Sequence, residues 1–210
     1  PLKRESEAKY LFFITKNGVV KRVATAEFAS IRQNGKIAIL LRENDELVGV
    51  KPTSGNDEII IAGSNGKAVR FHENDVRAMG RTSSGVKGFD MDGSYVVGAA
   101  TSREGNYLLS VSENGYGKRS IIADYRLTKR GVKGVKTINI TEKTGGLVAV
   151  RAVNGNEDVM IMTNDGIIIR ISVENIGIYS RNTQGVKLIH VGEDTGVAKV
   201  AIVEQSEENE

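Results

Sequence analysis

YGKRSIIADYRLTKRGVKGVK, residues 116–136, contains the pieces that repeat along the whole chain. It follows Asn114-Gly115, a dipeptide typical of tight β-hairpins, and it ends in Gly-Val-Lys. Seven basic residues against one acidic residue give this stretch a charge of +6, whereas the whole chain carries +3. Similar pieces occur before and after it at regular spacing, so it is the most basic copy of a repeated unit.

Four turn signals define the repeat. Their glycines are 48, 49 and 51 residues apart, in Asn17-Gly18, Asn65-Gly66, Asn114-Gly115 and Asp165-Gly166. Each signal lies between two apolar runs, at 10–15 and 19–23, 58–62 and 67–71, 107–111 and 116–122, and 159–163 and 167–171. The pattern predicts four hairpins with type I′ turns, in which both central residues have positive φ.

Two further features recur on the C-terminal side of each turn: a basic motif and a pair of predicted strands. The motif Arg-x-x-x-Gly-Val-Lys occupies residues 81–87, 130–136 and 181–187, with a degenerate first copy at 32–36. Predicted third strands follow at 37–41, near Phe89, at 135–140 and at 186–191, and closing strands at 47–50, 95–100, 147–150 and 197–203. The count is about sixteen short strands in four units, with single helical turns at most at 25–28 and 73–79.

A unit of about 50 residues and four short strands cannot bury both of its faces, whereas units stacked side by side around an axis can. The spacing therefore predicts an all-β, propeller-like disc of about four four-stranded blades. It forms one domain, residues 1–203, with repeats at about 8–56, 57–105, 106–156 and 157–203. Residues 204–210 (EQSEENE) are predicted to be an acidic disordered tail. A β-sandwich and a linear β-solenoid are the competing folds.

Composition excludes several classes of function. The chain has no cysteine, and its two histidines are 118 residues apart, so we expect no metal site, no cofactor and no catalytic residues. No run of 18 apolar residues and no apolar leader occurs, which favours a cytoplasmic protein that does not contact a membrane.

The basic positions recur at one place in each unit and predict a stripe around the rim of the disc. Such a stripe fits the phosphates of duplex DNA, bound without reading base sequence. The candidate DNA-binding residues are Lys21, Arg22, Arg32, Lys36, Arg70, Arg81, Lys87, Lys118, Arg119, Lys129, Arg130, Lys133, Lys136, Arg170, Arg181 and Lys187. The alternative is an ordinary solvated surface, because strand edges often carry lysine to prevent pairing with other chains.

Several segments resemble the C-terminal domain of the DNA gyrase A protein. They are NGKIAILLRENDELVGV (34–50), NGKAVRFHENDVRAMGRTSSGVKG (65–88), ENGYGKRS (113–120) and SRNTQGVKLI (180–189). The resemblance implies a β-pinwheel, in which neighbouring blades exchange strands. It also implies a non-catalytic domain that wraps double-stranded DNA and, with the rest of gyrase A and with gyrase B, supports ATP-dependent negative supercoiling.

The resemblance leaves two alternatives and one departure. The sister family, the C-terminal domain of the topoisomerase IV A protein, shares the fold, and a protein-interaction propeller with an incidental basic rim is the other alternative. The Gln-Arg-Arg-Gly-Gly-Lys-Gly box of the gyrase family does not occur in this sequence; residues 130–136 are only related to it. Since the family domain has about six blades, we interpret the chain as a four-blade part of it.

Overall fold

The computed structural model describes residues 8–30 and 34–205. Over these residues the regular structure consists of sixteen β-strands and four short 3-10 helices. The predicted all-β, propeller-like fold is confirmed, and no described helix has the length and apolar character needed to cross a bilayer.

The element bounds follow the repeat. The hairpin strands are β1 (Tyr10–Thr15) and β2 (Val19–Ala24), β4 (Glu58–Gly63) and β5 (Lys67–His72), β8 (Tyr107–Ser112) and β9 (Tyr116–Ile121), and β13 (Glu157–Thr163) and β14 (Ile168–Ser172). The closing strands are β3 (Leu47–Thr53), β7 (Val96–Thr101), β12 (Leu147–Val153) and β16 (Val197–Glu204). The short strands are β6 (Val86–Lys87), β10 (Leu127–Thr128), β11 (Val135–Lys136) and β15 (Val186–Lys187). The 3-10 helices span Thr25–Phe28, Glu73–Asp75, Ile122–Asp124 and Val173–Asn175.

The second, third and fourth repeats each place their short Gly-Val-Lys strand in the blade before their own. Blade 1 has the order β3-β1-β2-β6, and β6 comes from the second repeat. The third repeat likewise gives β10 and β11 to blade 2, and the fourth gives β15 to blade 3. Blade 4 has three described strands, β14-β13-β16. The strand exchange implied by the resemblance is therefore present.

The four hairpins form where the turn signals predict them, but not as type I′ turns. Gly18, Gly66, Gly115 and Gly166 have φ between 75° and 88°, while the residues before them are not among those with positive φ. The amide of each glycine donates to the carbonyl three residues earlier, as in Gly18 N to Thr15 O at 3.1 Å. This is the three-residue loop in which a type I turn is followed by a left-handed glycine.

The glycine of Gly-Val-Lys is required by conformation and by space. Gly85, Gly134 and Gly185 have φ of 96°, 72° and 76°. A Cβ at these positions would overlap the carbonyl oxygens of Val20, Ala68 and Gly117, which belong to the outer strand of the preceding blade. A bend that only glycine tolerates thus directs each short strand onto its neighbour.

The predicted third strands are much shorter than expected. Only two residues of each Gly-Val-Lys segment pair, and residues 37–41 form no strand. The apolar residues behind the short strands instead fill the cores, where Phe89, Ile138 and Ile189 are buried. The apolar pattern therefore identified these three core residues, but it did not identify the pairing of the backbone, and in the first repeat Ile37, Leu40 and Leu41 are exposed.

The apolar cores lie between successive blades. Phe12 and Ile14 of blade 1 pack with Ile59 and Ile61 of blade 2, and equivalent clusters join blade 2 to blade 3 and blade 3 to blade 4. The innermost strands contact one another in the order β3, β7, β12, β16. This order places the outer hairpin strands and the exchanged strands at the perimeter.

Two glycine substitutions separate two costs to the free energy of unfolding: the cost of a left-handed backbone conformation and the cost of a close contact with a neighbouring strand. Gly35 has φ +74°, close to that of Gly134, but a Cβ at Gly35 meets nothing within 4 Å. We expect Gly35→Ala to cost about 1 kcal/mol, the penalty of a left-handed alanine. Gly134→Ala adds overlap with the backbone at Ala68, so it should cost at least about 2 kcal/mol more, as overpacking does. Urea unfolding measures both values, and equal losses would contradict the close-contact role.

Candidate nucleic-acid interface

Three of the four arginines that lie four residues after a hairpin glycine, Arg22, Arg70 and Arg119, connect their repeat to the next one. Arg119 Nε donates to Ile176 O at 2.7 Å and its Nη2 donates to Glu174 O at 3.2 Å. Arg70 Nη1 donates to Tyr125 O at 2.9 Å, and Arg22 Nη1 donates to Asn74 Oδ1 at 2.7 Å. All of these acceptors lie in or beside the 3-10 helix of the following repeat.

The backbone at these arginines forms a second connection to the same segment. Arg70 pairs in parallel with Leu127, and isolated parallel bridges join Arg22 to Ala78 and Arg119 to Ile178. The sequence places these arginines on a solvated stripe, but Arg22 and Arg119 are buried. Their hydrogen bonds show a structural role, so we leave these two residues out of the DNA path proposed below.

The first arginine of Arg-x-x-x-Gly-Val-Lys makes contacts in the opposite direction along the chain. Arg130 donates to Asp75 O at 2.9 Å and to Lys87 O at 2.8 Å. Arg181 repeats this with Asp124 O at 3.0 Å and Lys136 O at 2.8 Å, and Arg81 donates to Ile37 O at 2.7 Å. These guanidinium groups hold the backbone of the preceding Gly-Val-Lys segment in place.

Two lysines predicted to bind DNA are fully buried. Lys118 Nζ donates to Ser120 Oγ at 2.9 Å and to the carbonyls of Ser180 and Arg181 at 2.6 and 2.9 Å. Lys21 Nζ donates in the same way to the carbonyls of Ala38, Arg81 and Ser83. Burial, together with repulsion from Arg181, lowers the pKa of Lys118 to about 8. Burial, with repulsion from Arg81, also lowers the pKa of Lys21.

Six predicted residues are exposed lysines: Lys36, Lys87, Lys129, Lys133, Lys136 and Lys187. Three of them lie near aspartates, in the pairs Lys87–Asp90 (3.3 Å), Lys129–Asp75 (3.0 Å) and Lys133–Asp92 (3.3 Å). Exposed pairs of this kind contribute little to stability, so their lysines are available to a competing phosphate.

Lys87, Lys136 and Lys187 occupy the same position in three consecutive blades, at the end of the exchanged outermost strand. Lys136 lies opposite Lys67 in the ladder, which sets two like charges side by side. Lys187 lies 4.9 Å from the ring centroid of Tyr116. Lys67 and Tyr116 were not predicted as site residues, because only the strand register brings them beside the motif lysines.

The remaining predicted residues have distinct surroundings. Arg170, the fourth arginine of the hairpin series, is half exposed and pairs with Asp158 at 2.6 Å. Arg32 lies outside the described residues. No cluster of three or more metal-binding side chains occurs at residues 8–30 and 34–205.

The sequence profile of the family described as the DNA gyrase C-terminal domain, a β-propeller, matches residues 9–54, 57–103, 106–154 and 157–204. The chain belongs to this family. Its relatives include the DNA gyrase A protein of Ureaplasma parvum serovar 3, 48% identical over 201 residues that cover 95% of the chain, and that of Staphylococcus aureus (strain NCTC 8325), 48% identical over 209 residues that cover 98%. The chain spans 24% of the length of these two gyrase A proteins.

Solved structures support the same fold. A C-terminal domain of DNA topoisomerase IV superposes with a TM-score of 0.88 at 23% identity, over 97% of this chain and 64% of that one. A gyrase A C-terminal domain superposes with a TM-score of 0.83 at 24% identity, over 96% of this chain and 68% of that one. Both likenesses establish the architecture. The gyrase family profile and the gyrase A relatives establish the family.

The fold offers a matched test of the arginine clamps in this gyrase-family domain. Arg119→Met leaves two carbonyl acceptors of the fourth repeat without a donor, and we expect it to lower the free energy of unfolding by about 2–3 kcal/mol. Arg170→Met removes the arginine at the same repeat position where its side chain is half exposed, and it should cost no more than about 0.5 kcal/mol. Urea unfolding compares the two variants, and similar losses would rule out the clamp.

The lowered pKa of Lys118 predicts a pH-dependent stability. Between pH 8 and the unfolded value of 10.5, the unfolded chain holds more protons at this group than the folded chain, so stability rises with pH. Lys118→Met should remove this rise, and Val69 at the same position of blade 2 shows that an apolar side chain fits there. The measurement is the difference in urea midpoint between parent and variant at about pH 7.5 and about pH 9.5, on either side of the lowered pKa. A difference that does not change with pH would contradict the lowered pKa.

Proposed function

We propose that this domain binds double-stranded DNA through the exposed lysines of its perimeter and bends the duplex around the blades. The observation that carries the proposal is the repetition of one exposed lysine, Lys87, Lys136 and Lys187, on the outermost strand of three consecutive blades. Lys129 and Lys133 add charge beside blade 2, and Lys36 adds charge near blade 1.

The repeated spacing supports contact with phosphates rather than with bases. The backbone carbonyls of Lys87 and Lys136 accept hydrogen bonds from Arg130 and Arg181, so these two lysine side chains project from fixed points. Lysine provides a point charge on a flexible stem, which neutralises phosphate without the paired hydrogen bonds that distinguish bases. Contacts between lysines and phosphates allow DNA of any base sequence to bind, and their repetition around the perimeter favours a curved path for the duplex.

Like charge on the perimeter also favours an anionic partner. Lys136 and Lys67 are directly opposed, and this arrangement is unfavourable until an anion lies between or above them. A phosphate there relieves the repulsion and releases condensed counterions from the DNA.

The family of this domain supports a place for it in a larger enzyme. We infer that it acts in the cytoplasm as part of the gyrase A protein, together with gyrase B, and supports ATP-dependent negative supercoiling by presenting a bent DNA segment. We assign no chemical step to this chain itself. Two of its gyrase A relatives are about four times its length, and it matches 24% of each.

Two alternatives are less well supported. A topoisomerase IV protein has the same architecture, but the relatives at 48% identity are gyrase A proteins. A protein-interaction propeller would not need charge repeated on the perimeter, and its binding would depend weakly on salt.

A pair of lysine substitutions tests the DNA path. Lys136→Gln combined with Lys187→Gln should reduce the slope of log K against log salt for a duplex by about 1.8, because each lysine that no longer neutralises a phosphate lowers the slope by about 0.9. Fluorescence anisotropy with labelled duplexes of two unrelated sequences measures the slope, and the affinity for both duplexes should fall equally.

The control removes two lysines from innermost strands, Lys51→Gln on β3 and Lys199→Gln on β16. It changes the net charge by the same amount, and its slope should stay at the parent value. If the slope falls equally in the two double variants, the salt dependence of DNA binding reflects the overall charge of the domain and not contacts at the perimeter. Salt-independent binding would refute the proposal.

A further inference from the structure

The perimeter of blades 1 to 3 carries a second repeated position besides the motif lysine. Nine residues before that lysine stand Ala78, Leu127 and Ile178. Each pairs in parallel with the outer hairpin strand of the preceding repeat, opposite Arg22, Arg70 and Arg119 respectively. All three are exposed, to 51% for Leu127 and 46% for Ile178. The perimeter therefore presents apolar side chains at the same place in three consecutive blades.

The exposure of Leu127 does not arise at an open end of the row of blades. Leu127 lies in β10 on blade 2, which has blade 1 on one side and blade 3 on the other within the described chain. Its backbone pairs with Arg70, and Thr128 Oγ1 donates to Arg70 O at 3.2 Å. The leucine is thus held at the surface by its own blade, and a blade added at either end of the row would not cover it.

An exposed arginine directly precedes this leucine. The guanidinium of Arg126 has no hydrogen-bond or ion-pair partner among residues 8–30 and 34–205. Arg77 occupies the same position on blade 1 and is also exposed, but Ala78 follows it. On blade 3, Gly177 precedes Ile178. Of these three segments, the one on blade 2 combines an exposed arginine with a large exposed apolar side chain.

Cations surround this arginine–leucine pair. Residues 125–136 contain five basic residues and no acidic residue. Leu127 and Lys136 lie opposite Arg70 and Lys67 on the outer edge of β5, three residues apart along that strand. At about 3.3 Å per residue, the backbone of the leucine is roughly 10 Å from that of Lys136. A protein partner held by apolar contact needs a contiguous apolar patch of a few hundred Å². A leucine between cations does not provide one.

We propose that Arg126 and Leu127 enter the minor groove of DNA where the duplex crosses blade 2. This inference rests on the DNA binding proposed above and adds a groove contact to it. The minor groove is about 6 Å wide, so a lysine roughly 10 Å from an inserted side chain reaches the phosphates on its border. Proteins that bend DNA place apolar side chains and arginine in the minor groove. Leu127 supplies the apolar contact, Arg126 the cation in the groove, and Lys136 the charge beside the phosphate.

A change made only in the minor groove tests this proposal. Inosine in place of guanine removes the 2-amino group from the minor groove and leaves the phosphates and the major-groove edge unchanged. Fluorescence anisotropy with the 210-residue chain compares a guanine-containing duplex with its inosine counterpart. The parent should bind the inosine duplex about fivefold more tightly, because the amino group obstructs a side chain in the groove. The slope of log K against log salt should be the same for both duplexes.

Two variants and a control separate the groove contact from the flexibility of the duplex. Leu127→Ala removes the apolar side chain at constant charge, and Arg126→Lys keeps the charge but loses the planar, weakly hydrated guanidinium. Each should lower the preference for inosine below about twofold and leave the salt slope at the parent value. Tyr95→Ala removes a half-exposed ring beside the innermost strand β7 and should retain the full preference. All three sites are exposed, so unchanged circular dichroism and thermal midpoints serve as the folding control.

The outcomes distinguish the groove contact from the proposed function. A parent that binds both duplexes equally, with the expected salt dependence, would overturn the groove contact and leave phosphate binding in place. A preference that persists in Leu127→Ala or in Arg126→Lys, or that is lost in Tyr95→Ala, would overturn the groove contact as well. A parent that binds neither duplex would overturn DNA binding itself, and the groove contact with it.

Discussion

The fold depends on guanidinium groups that bind backbone carbonyls across the boundary between repeats. Arg70 and Arg119 reach forward to carbonyls beside the 3-10 segment of the following repeat, and Arg81, Arg130 and Arg181 reach back to the segment before the preceding closing strand. Short irregular segments have few internal hydrogen bonds and must find partners for their carbonyl groups. Arginine meets this need because its planar group offers several donors in fixed directions. The same residue type therefore recurs at the same repeat position for a structural reason.

The sequence predicted the repeat, the hairpins and the propeller-like arrangement because these depend on local signals. Turn glycines and apolar alternation are local features of the sequence. The predicted bounds of the hairpin strands therefore agree with the observed bounds within about two residues. The exchange of β6, β11 and β15 could not be read from the repeat alone, because the pattern is the same whichever neighbouring blade receives the strand. It was implied only by resemblance to a family. The turn type differed because Asn-Gly suits both a type I′ turn and a type I turn followed by a left-handed glycine.

The number of basic residues in a stretch of sequence does not show which of them are exposed to a ligand. Lys118 and Arg119 belong to the most basic stretch of the chain, yet both are buried among carbonyl groups. Lys136, in the same stretch, is exposed on the perimeter. Periodicity identified both sets, since structural and surface cations repeat with the same spacing. Burial and hydrogen bonding, which follow from long-range contacts, are needed to separate them.

Strand exchange also determines how the domain responds to cleavage of its backbone. The loop that contains Thr82 connects the first part of the second repeat to β6, and β6 is held in blade 1 by its own ladder and by the contacts of Gly88. A backbone cut at Thr82 would leave one fragment with blade 1 lacking its outer strand and another fragment that begins with that strand. The two fragments remain joined by the packing between blades 1 and 2 and by the pairing of β6. The exchanged strand therefore holds neighbouring repeats together, and proteolytic cleavage in the loop before it does not release a blade.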